Sequence, residues 1–228
     1  MLSENLIFCL KLEEMNYKAI IFDLDGTLVD TLDDLTEAMN QSLTHCGQPV
    51  RTREECRDMI GRGLPEFAKS ALPPEAGHLK DMLLRKMREV YLGICLDRTK
   101  PYDGIREVLS ACQKQGVRLA VLSNKAHDLT VRISEHYFGK GTFCQILGQK
   151  ENIKPKPDSE PVYLLLEKME LKPADVLYVG DSEVDVQTAQ NAGVDCIAVG
   201  WGFRSLDILR QAGAKTIIRQ PLELLNCL

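Results

Sequence analysis

The sequence predicts an α/β protein: an open parallel sheet with helices on both faces, and an all-helical segment inserted after the first strand. Three observations predict it. From residue 98 onward, short apolar runs alternate with helix-period segments, the rhythm of a doubly wound sheet. Residues 33–97 carry helix-period patterning and no β-rich stretch. Three of the apolar runs end abruptly in polar, chemistry-bearing residues.

The elements follow in order. Residues 18–22 read as a strand, continuously apolar as a strand covered on both faces must be. Leu32, Leu35, Met39 and Leu43 recur at helical spacing over 31–46. "TREE" at 52–55 is a capping box that opens a second helix. "GRGLPEF" at 61–67 interrupts the pattern, and "LPPEAG" at 72–77 reads as a turn. Residues 78–96 form a long helical stretch, and "RTKPYDG" at 98–104 is a linker. A helix at 104–115 leads to the strand "VRLAVLS" at 117–123, followed by a helix at 127–136. The strand "DVLYVGD" at 175–181, the helix 182–192 and the strands "DCIAVG" at 195–200 and "AKTIIR" at 214–219 complete the series. The expected division is a core of 15–32 and 98–228, a helical insertion of 33–97 and an N-terminal appendage of 1–14. Met15 stands just before the core and competes with Met1 as the start.

The chain has 228 residues, enough for one large domain or one with a smaller companion. Its 28 basic and 33 acidic residues leave a net charge of -5, which offers nothing to a polyanion and argues against nucleic acid. Eight cysteines form no Cys-x-x-Cys pair. They read as structural thiols of a reducing cytoplasm rather than a disulfide framework. "NLIFCL" at 5–10 lacks the basic start and cleavage site of a secretory signal, and no apolar run approaches the ~18–20 residues of a membrane span. Cytoplasmic placement without a membrane partner is expected.

The strand ends carry the chemistry. Open α/β sheets bind ligands beyond the carboxyl ends of their strands. Asp23 and Asp25 follow the first strand, Ser123-Asn124-Lys125 the second, and Asp181 the third, with Asp185 four residues on. Residues two apart on extended backbone point the same way, so Asp23 and Asp25 pair while Leu24 enters the core. Carboxylates this close repel unless a proton or cation intervenes. An all-oxygen acidic cluster suits a hard ion, foremost Mg²⁺. Asp30 reads as a helix N-cap.

In "NIKPKPDSEP", 152–161, alternating prolines deny the chain a helix until about Asp158. That would hold one lysine rigidly at the crevice mouth. Lys156 reads as part of a solvated loop, and the pattern leaves Lys154 open between the two roles. The "GRG" of 61–63 reads equally as a tight loop or a substrate-facing tip. Trp201 and Arg204 read equally as loop anchors, and His45, His78, His127 and His136 as structural or surface residues.

These motifs, in this order, resemble the haloacid dehalogenase-like hydrolase superfamily, and within it the phosphoglycolate phosphatase-like branch. "DLDGT" at 23–27, "SNK" at 123–125, "KPKPD" at 154–158 and "GDSEVD" at 180–185 correspond to its four motifs. The resemblance implies a Rossmann-like core with a small helical cap. It implies Asp23 as nucleophile forming an aspartyl-phosphate and Asp25 as the acid and base. Mg²⁺ would be held by the Asp23 carboxylate, the Asp25 carbonyl and Asp181, with Asp185 ligating or orienting a water. Phosphoryl oxygens would meet Ser123, Asn124 and the amides around Gly26, with Thr27 bracing the loop. The family pattern Lys-Pro-x-Pro implies Lys154 as the functional lysine. Arg62, at the tip of the cap, is a candidate contact for a second anionic group of the substrate and equally an exposed arginine.

The implied activity is Mg²⁺-dependent hydrolysis of a small phosphorylated metabolite, 2-phosphoglycolate first. Inorganic pyrophosphate, other sugar phosphates and a phosphosugar mutase reaction are the alternatives. A dehalogenase is disfavoured, since a halide leaves without a proton and Asp25 is present. A non-enzymatic adaptor is disfavoured because the motif acids and lysine are in place. Monomer and homodimer both remain open.

Overall fold

A computed structural model describes residues 17–228. The appendage 1–14, the "NLIFCL" stretch and the choice between Met1 and Met15 lie outside the described residues. Six parallel strands form one sheet in the order β5-β4-β1-β6-β7-β8. They are β1 (Ala19–Phe22), β4 (Arg118–Ala126), β5 (Gln145–Gln149), β6 (Val176–Gly180), β7 (Asp195–Val199) and β8 (Thr216–Ile218). β1 lies between β4 and β6, with Phe22 level with Val121 on one side and Val179 on the other.

All four residues of β1 are buried, because both sheet faces are covered. Alternation along the strands feeds two cores. Ile20, Phe22, Leu119, Val121, Leu177 and Val179 join one core. Ile21, Ala120, Leu122 and Tyr178 join the other. The first core runs on into the helical segment through Leu35, Met39, Leu83 and Met87.

That segment holds α1 (Leu32–His45), α2 (Arg53–Met59), α3 (Leu64–Ala71) and α4 (Lys80–Ile94). The capping box at Thr52 forms as expected: the threonine hydroxyl accepts from Glu55 N–H, and the glutamate accepts from Thr52 N–H. Leu83, Met87 and Tyr91, each four residues apart, make the buried stripe of α4. The "LPPEAG" turn is instead a 3₁₀ helix, Pro74–Leu79, that leads directly into α4.

Two short strands stand where the chain leaves and re-enters the sheet region. β2 (Val29–Asp30) and β3 (Lys100–Pro101) pair antiparallel. Buried Asp34 of α1 secures the returning chain. Its carboxylate accepts from the Arg98 and Thr99 amides and the Thr99 hydroxyl at 2.7–3.1 Å. The N-cap of α1 is Thr31 rather than Asp30, and Asp30, one residue earlier, accepts from Leu32 N–H at 3.1 Å.

The remaining helices are α5 (Ile105–Lys114), α6 (His127–Phe138), α7 (Glu160–Met169), α8 (Glu183–Ala192) and α9 (Leu206–Gln211). The pattern gives neither the edge strand β5 nor α9, and of α7 only that a helix is possible from about Asp158.

Candidate active site

The strand order reverses at β1: the chain moves outward through β4 and β5, then returns to β6 on the other side. Such a switch point leaves a crevice at the carboxyl ends of the strands. A cavity of about 40 Å³ lies there, lined by Asp23, Asp25, Ser123, Asn124, Lys125, Asp181 and Arg204. The helical segment supplies Leu35, Ile60, Gly61, Gly63, Leu64 and Phe67 to its wall.

Asp23 stands at the end of β1 and is almost fully buried. Its Oδ1 accepts from Leu24 N–H at 2.7 Å and lies 3.0 Å from the ammonium of Lys156. Burial pushes its pKa well above the carboxylate range. The Lys156 charge opposes that shift, and Asp185, Asp181 and Asp25 reinforce it. Asp181, at the end of β6, is pushed up to about 7 by burial and then by Asp185. It accepts from Phe203 N–H at 2.7 Å and from the Thr27 hydroxyl at 3.3 Å. That hydroxyl contact ties the loop after β1 to the end of β6.

One carboxylate oxygen from each of Asp23, Asp181 and Asp185 falls within a 4.8 Å cluster. The donors are all oxygens, and the cluster holds more negative charge than its partners cancel. Asp23, Asp25, Asp181 and Asp185 face two buried lysines, Lys125 and Lys156. A divalent cation would supply the missing positive charge, so the residues fit one. Asp185 is already well satisfied. It accepts from Lys156 at 2.7 Å, from the Tyr178 hydroxyl at 3.2 Å, and from the Ser182 amide and hydroxyl at 3.1 and 2.6 Å. The side chain of Asp25 stands apart from that cluster. Its Oδ1 accepts from the Thr31 hydroxyl at 2.7 Å and lies 3.1 Å from the Lys125 ammonium.

The lysine expectation is corrected. Lys154 is 69% exposed and pairs with Asp158 at 3.4 Å, on the outside. Lys156, read as a solvated loop residue, is 2% exposed and sits between Asp23 and Asp185. Burial alone would pull its pKa down. The two carboxylates outweigh burial and hold the ammonium well above its ordinary value.

Two phosphate-binding expectations also change. The amide of Gly26 donates to Val29 O at 2.9 Å. Gly26 instead makes room: at φ +83° a Cβ there would overlap the Asp181 carboxylate. The Asn124 side chain is likewise committed. Its Nδ2 donates to Gly61 O at 3.0 Å and Lys156 O at 3.1 Å, and its Oδ1 accepts from Lys156 N–H at 2.8 Å. It holds the Lys156 loop against the "GRG" loop. Ser123 is buried and lines the cavity, where its hydroxyl is a donor for an anion.

Arg62 does not line the cavity. It is 61% exposed and 3.8 Å from Glu183. The arginine that does line it is Arg204. Its Nε donates to Glu183 at 3.0 Å, Nη1 to Arg57 O at 2.9 Å, and Nη2 to Ile60 O. It thereby holds the end of α2 over the crevice. Trp201 acts as an anchor, its Nε1 donating to Thr27 O at 3.1 Å. The sequence placed Lys125 at a strand end and offered Arg204 as a loop anchor, but the partners that fix each of them, Tyr91 and Arg57 among them, lie far along the chain.

Comparison with known proteins agrees with this geometry. Residues 20–199 match the family model described as haloacid dehalogenase-like hydrolase, and the chain belongs to that family. A phosphoglycolate phosphatase of Pseudomonas savastanoi pv. phaseolicola is 32% identical over 191 residues, covering 82% of this chain and 70% of that protein. An N-acetylmuramic acid 6-phosphate phosphatase of Pseudomonas aeruginosa is 30% identical, covering 95% and 97%. A solved structure from Lactobacillus delbrueckii subsp. bulgaricus superposes with a TM-score of 0.88 at 32% identity, covering 93% of this chain and 98% of that one. The protein is a phosphatase, and its substrate carries a phosphate. No helix among the described residues is long and apolar enough to cross a membrane.

Proposed function

We propose that this phosphatase is a cytoplasmic, Mg²⁺-dependent hydrolase of small phosphomonoesters that works through an aspartyl-phosphate on Asp23. The buried Asp23–Lys156–Asp185 array at the strand switch point carries the reading. Residues 33–97 act as a cap over a core of 15–32 and 98–228. The Asp23 and Asp181 carboxylates and the Asp25 carbonyl would hold the ion, with Asp185 behind them as the counter-charge of Lys156. When bound, Mg²⁺ neutralises charge as a phosphate approaches the carboxylates.

Asp23 Oδ1 is anchored by Leu24 N–H and Lys156, which leaves Oδ2 as the attacking oxygen. Oδ2 forms a bond to phosphorus as the ester oxygen leaves. Asp25 gives that oxygen its proton, so the leaving group departs as an alcohol. Asp25 then takes a proton from water as the water oxygen attacks phosphorus, releasing inorganic phosphate and restoring Asp23. Lys156 offsets charge at the nucleophile, and the Ser123 hydroxyl donates to a phosphoryl oxygen. The water-excluding wall of Leu35, Ile60, Leu64 and Phe67 strengthens each of these interactions.

The substrate proposed first is 2-phosphoglycolate, which the Pseudomonas savastanoi relative is named for. A sugar phosphate is the second reading, favoured by the nearly end-to-end match to the N-acetylmuramic acid 6-phosphate phosphatase. Asp23→Asn should abolish turnover and the acid-stable-at-low-temperature phosphoprotein trapped from radiolabelled substrate. Retained turnover would remove Asp23 from the mechanism. Comparing kcat/KM for 2-phosphoglycolate, N-acetylmuramic acid 6-phosphate and pyrophosphate separates the substrate readings.

A further inference from the structure

Lys125 follows Ser123 and Asn124 on the same strand, yet the mechanism above gives it no task. It is buried at the end of β4, where an unpaired ammonium would be costly. Its Nζ lies 3.1 Å from Asp25 Oδ1 and donates to the Tyr91 hydroxyl at 2.9 Å. The same Nζ stands 4.5 Å from the centre of the Tyr91 ring, a cation–π distance. Tyr91 belongs to α4, in the helical insertion, and is completely buried. Burial raises its pKa well above the ordinary phenol value, so it meets the ammonium as a neutral hydroxyl.

Three groups therefore run in a line from the core into the insertion: Asp25, Lys125 and Tyr91. Thr31 adds a second donor to the same Asp25 oxygen. With Oδ1 held twice, the carboxylate cannot rotate freely, and Oδ2 accepts from no protein donor among the described residues.

We propose that Tyr91 is a positioning residue for the reaction, holding Lys125 so that Lys125 orients the proton-shuttling carboxylate of Asp25. Lysine has a flexible four-carbon stem, so its ammonium stays at one point only if partners hold it there. The carboxylate holds one side and the tyrosine hydroxyl and ring the other. Seating of α4 against the core thereby sets whether Asp25 is aimed. The insertion contributes to proton transfer as well as to exclusion of water.

This inference rests on the reading of Asp25 as acid and base, and the test separates the two. Protonation matters for an alkoxide leaving group and little for p-nitrophenolate. Up to phosphoenzyme formation, kcat/KM reports that step. Tyr91→Phe should lower kcat/KM for ethyl phosphate by about tenfold, a fraction of the roughly 10²–10⁴-fold that general acid catalysis supplies. For p-nitrophenyl phosphate the loss should stay within about twofold. Lys125→Met should reproduce the asymmetry, and the double variant should be no more asymmetric than Lys125→Met alone. The ratio of the two rates in one preparation cancels any change in folded fraction. Equal losses on both substrates, or none on either, overturn the proposal. So does a rise in KM confined to 2-phosphoglycolate with ethyl phosphate unchanged, which would make Lys125 a contact for the substrate carboxylate. If Asp25→Asn itself shows no leaving-group asymmetry, the acid–base reading fails whatever Tyr91 does.

Discussion

Exchanging the two lysines of the "KPKP" stretch one at a time tests the active-site geometry most directly. Lys156→Met removes an ammonium 3.0 Å from Asp23 and 2.7 Å from Asp185. At an effective dielectric of about 20, each attraction is worth roughly 6 kcal/mol before the burial cost of the lysine is set against it. Removing one partner of a buried pair leaves the other uncompensated, and the net loss is about 3–5 kcal/mol. In a chain of this size that lowers Tm by roughly 6–20 °C. Loss of a charge clamp at the nucleophile should lower kcat by about 10²–10³. Lys154→Met removes an exposed pair with Asp158 and should change stability by no more than about 0.5 kcal/mol. Its kcat should match the parent. The assay is thermal melting by circular dichroism and phosphate release well below the lower Tm. An inactive Lys154→Met beside an active Lys156→Met would refute the assignment of the charge clamp.

The same geometry leads to two further expectations. Asp181 has its folded pKa raised to about 7, so without a divalent ion the folded state binds more protons than the unfolded chain between roughly pH 4 and 7. Metal-free stability should therefore fall as pH rises through that window, and added Mg²⁺ should raise Tm more at pH 8 than at pH 5; a Tm increment equal at both pH values would contradict the acid cluster as its site. Arg204→Gln removes the guanidinium that holds the Arg57 and Ile60 carbonyls. Hydrogen exchange over residues 57–63 should quicken by about tenfold or more, the loss of about 1.5–3 kcal/mol for a charged hydrogen bond, with KM rising; unchanged exchange would deny Arg204 a part in holding that loop.

The fold was largely legible because its signals are local. Apolar runs such as Ala19–Phe22 and Val176–Gly180 announce doubly covered strands, and the Thr52–Glu55 box announces a helix start. Edge strand β5 was not, since "QILGQ" is short and flanked by polar residues, and its partner Leu122 lies far back in the chain. The acids of the site were legible for the same local reason: Asp23, Asp25 and Asp181 follow strand ends, and Asp185 stands four residues after Asp181 in the first turn of α8.

Which lysine enters the site was decided elsewhere. Lys154-Pro155-Lys156-Pro157 repeats a Lys-Pro dipeptide, and the Lys-Pro-x-Pro pattern favours Lys154, since Ser159 stands where the second proline after Lys156 would be. Only the place where Asp23, Asp185 and the Asn124 amide converge selects Lys156. Arg204 and Lys125 are the same kind of case, their partners lying 147 and 34 residues away at Arg57 and Tyr91. Strand-end acids, helix caps and the rhythm of the sheet follow from near neighbours along the chain and can be read there. A buried charge is stable only beside its counter-charge, and that pairing exists only after the chain has folded.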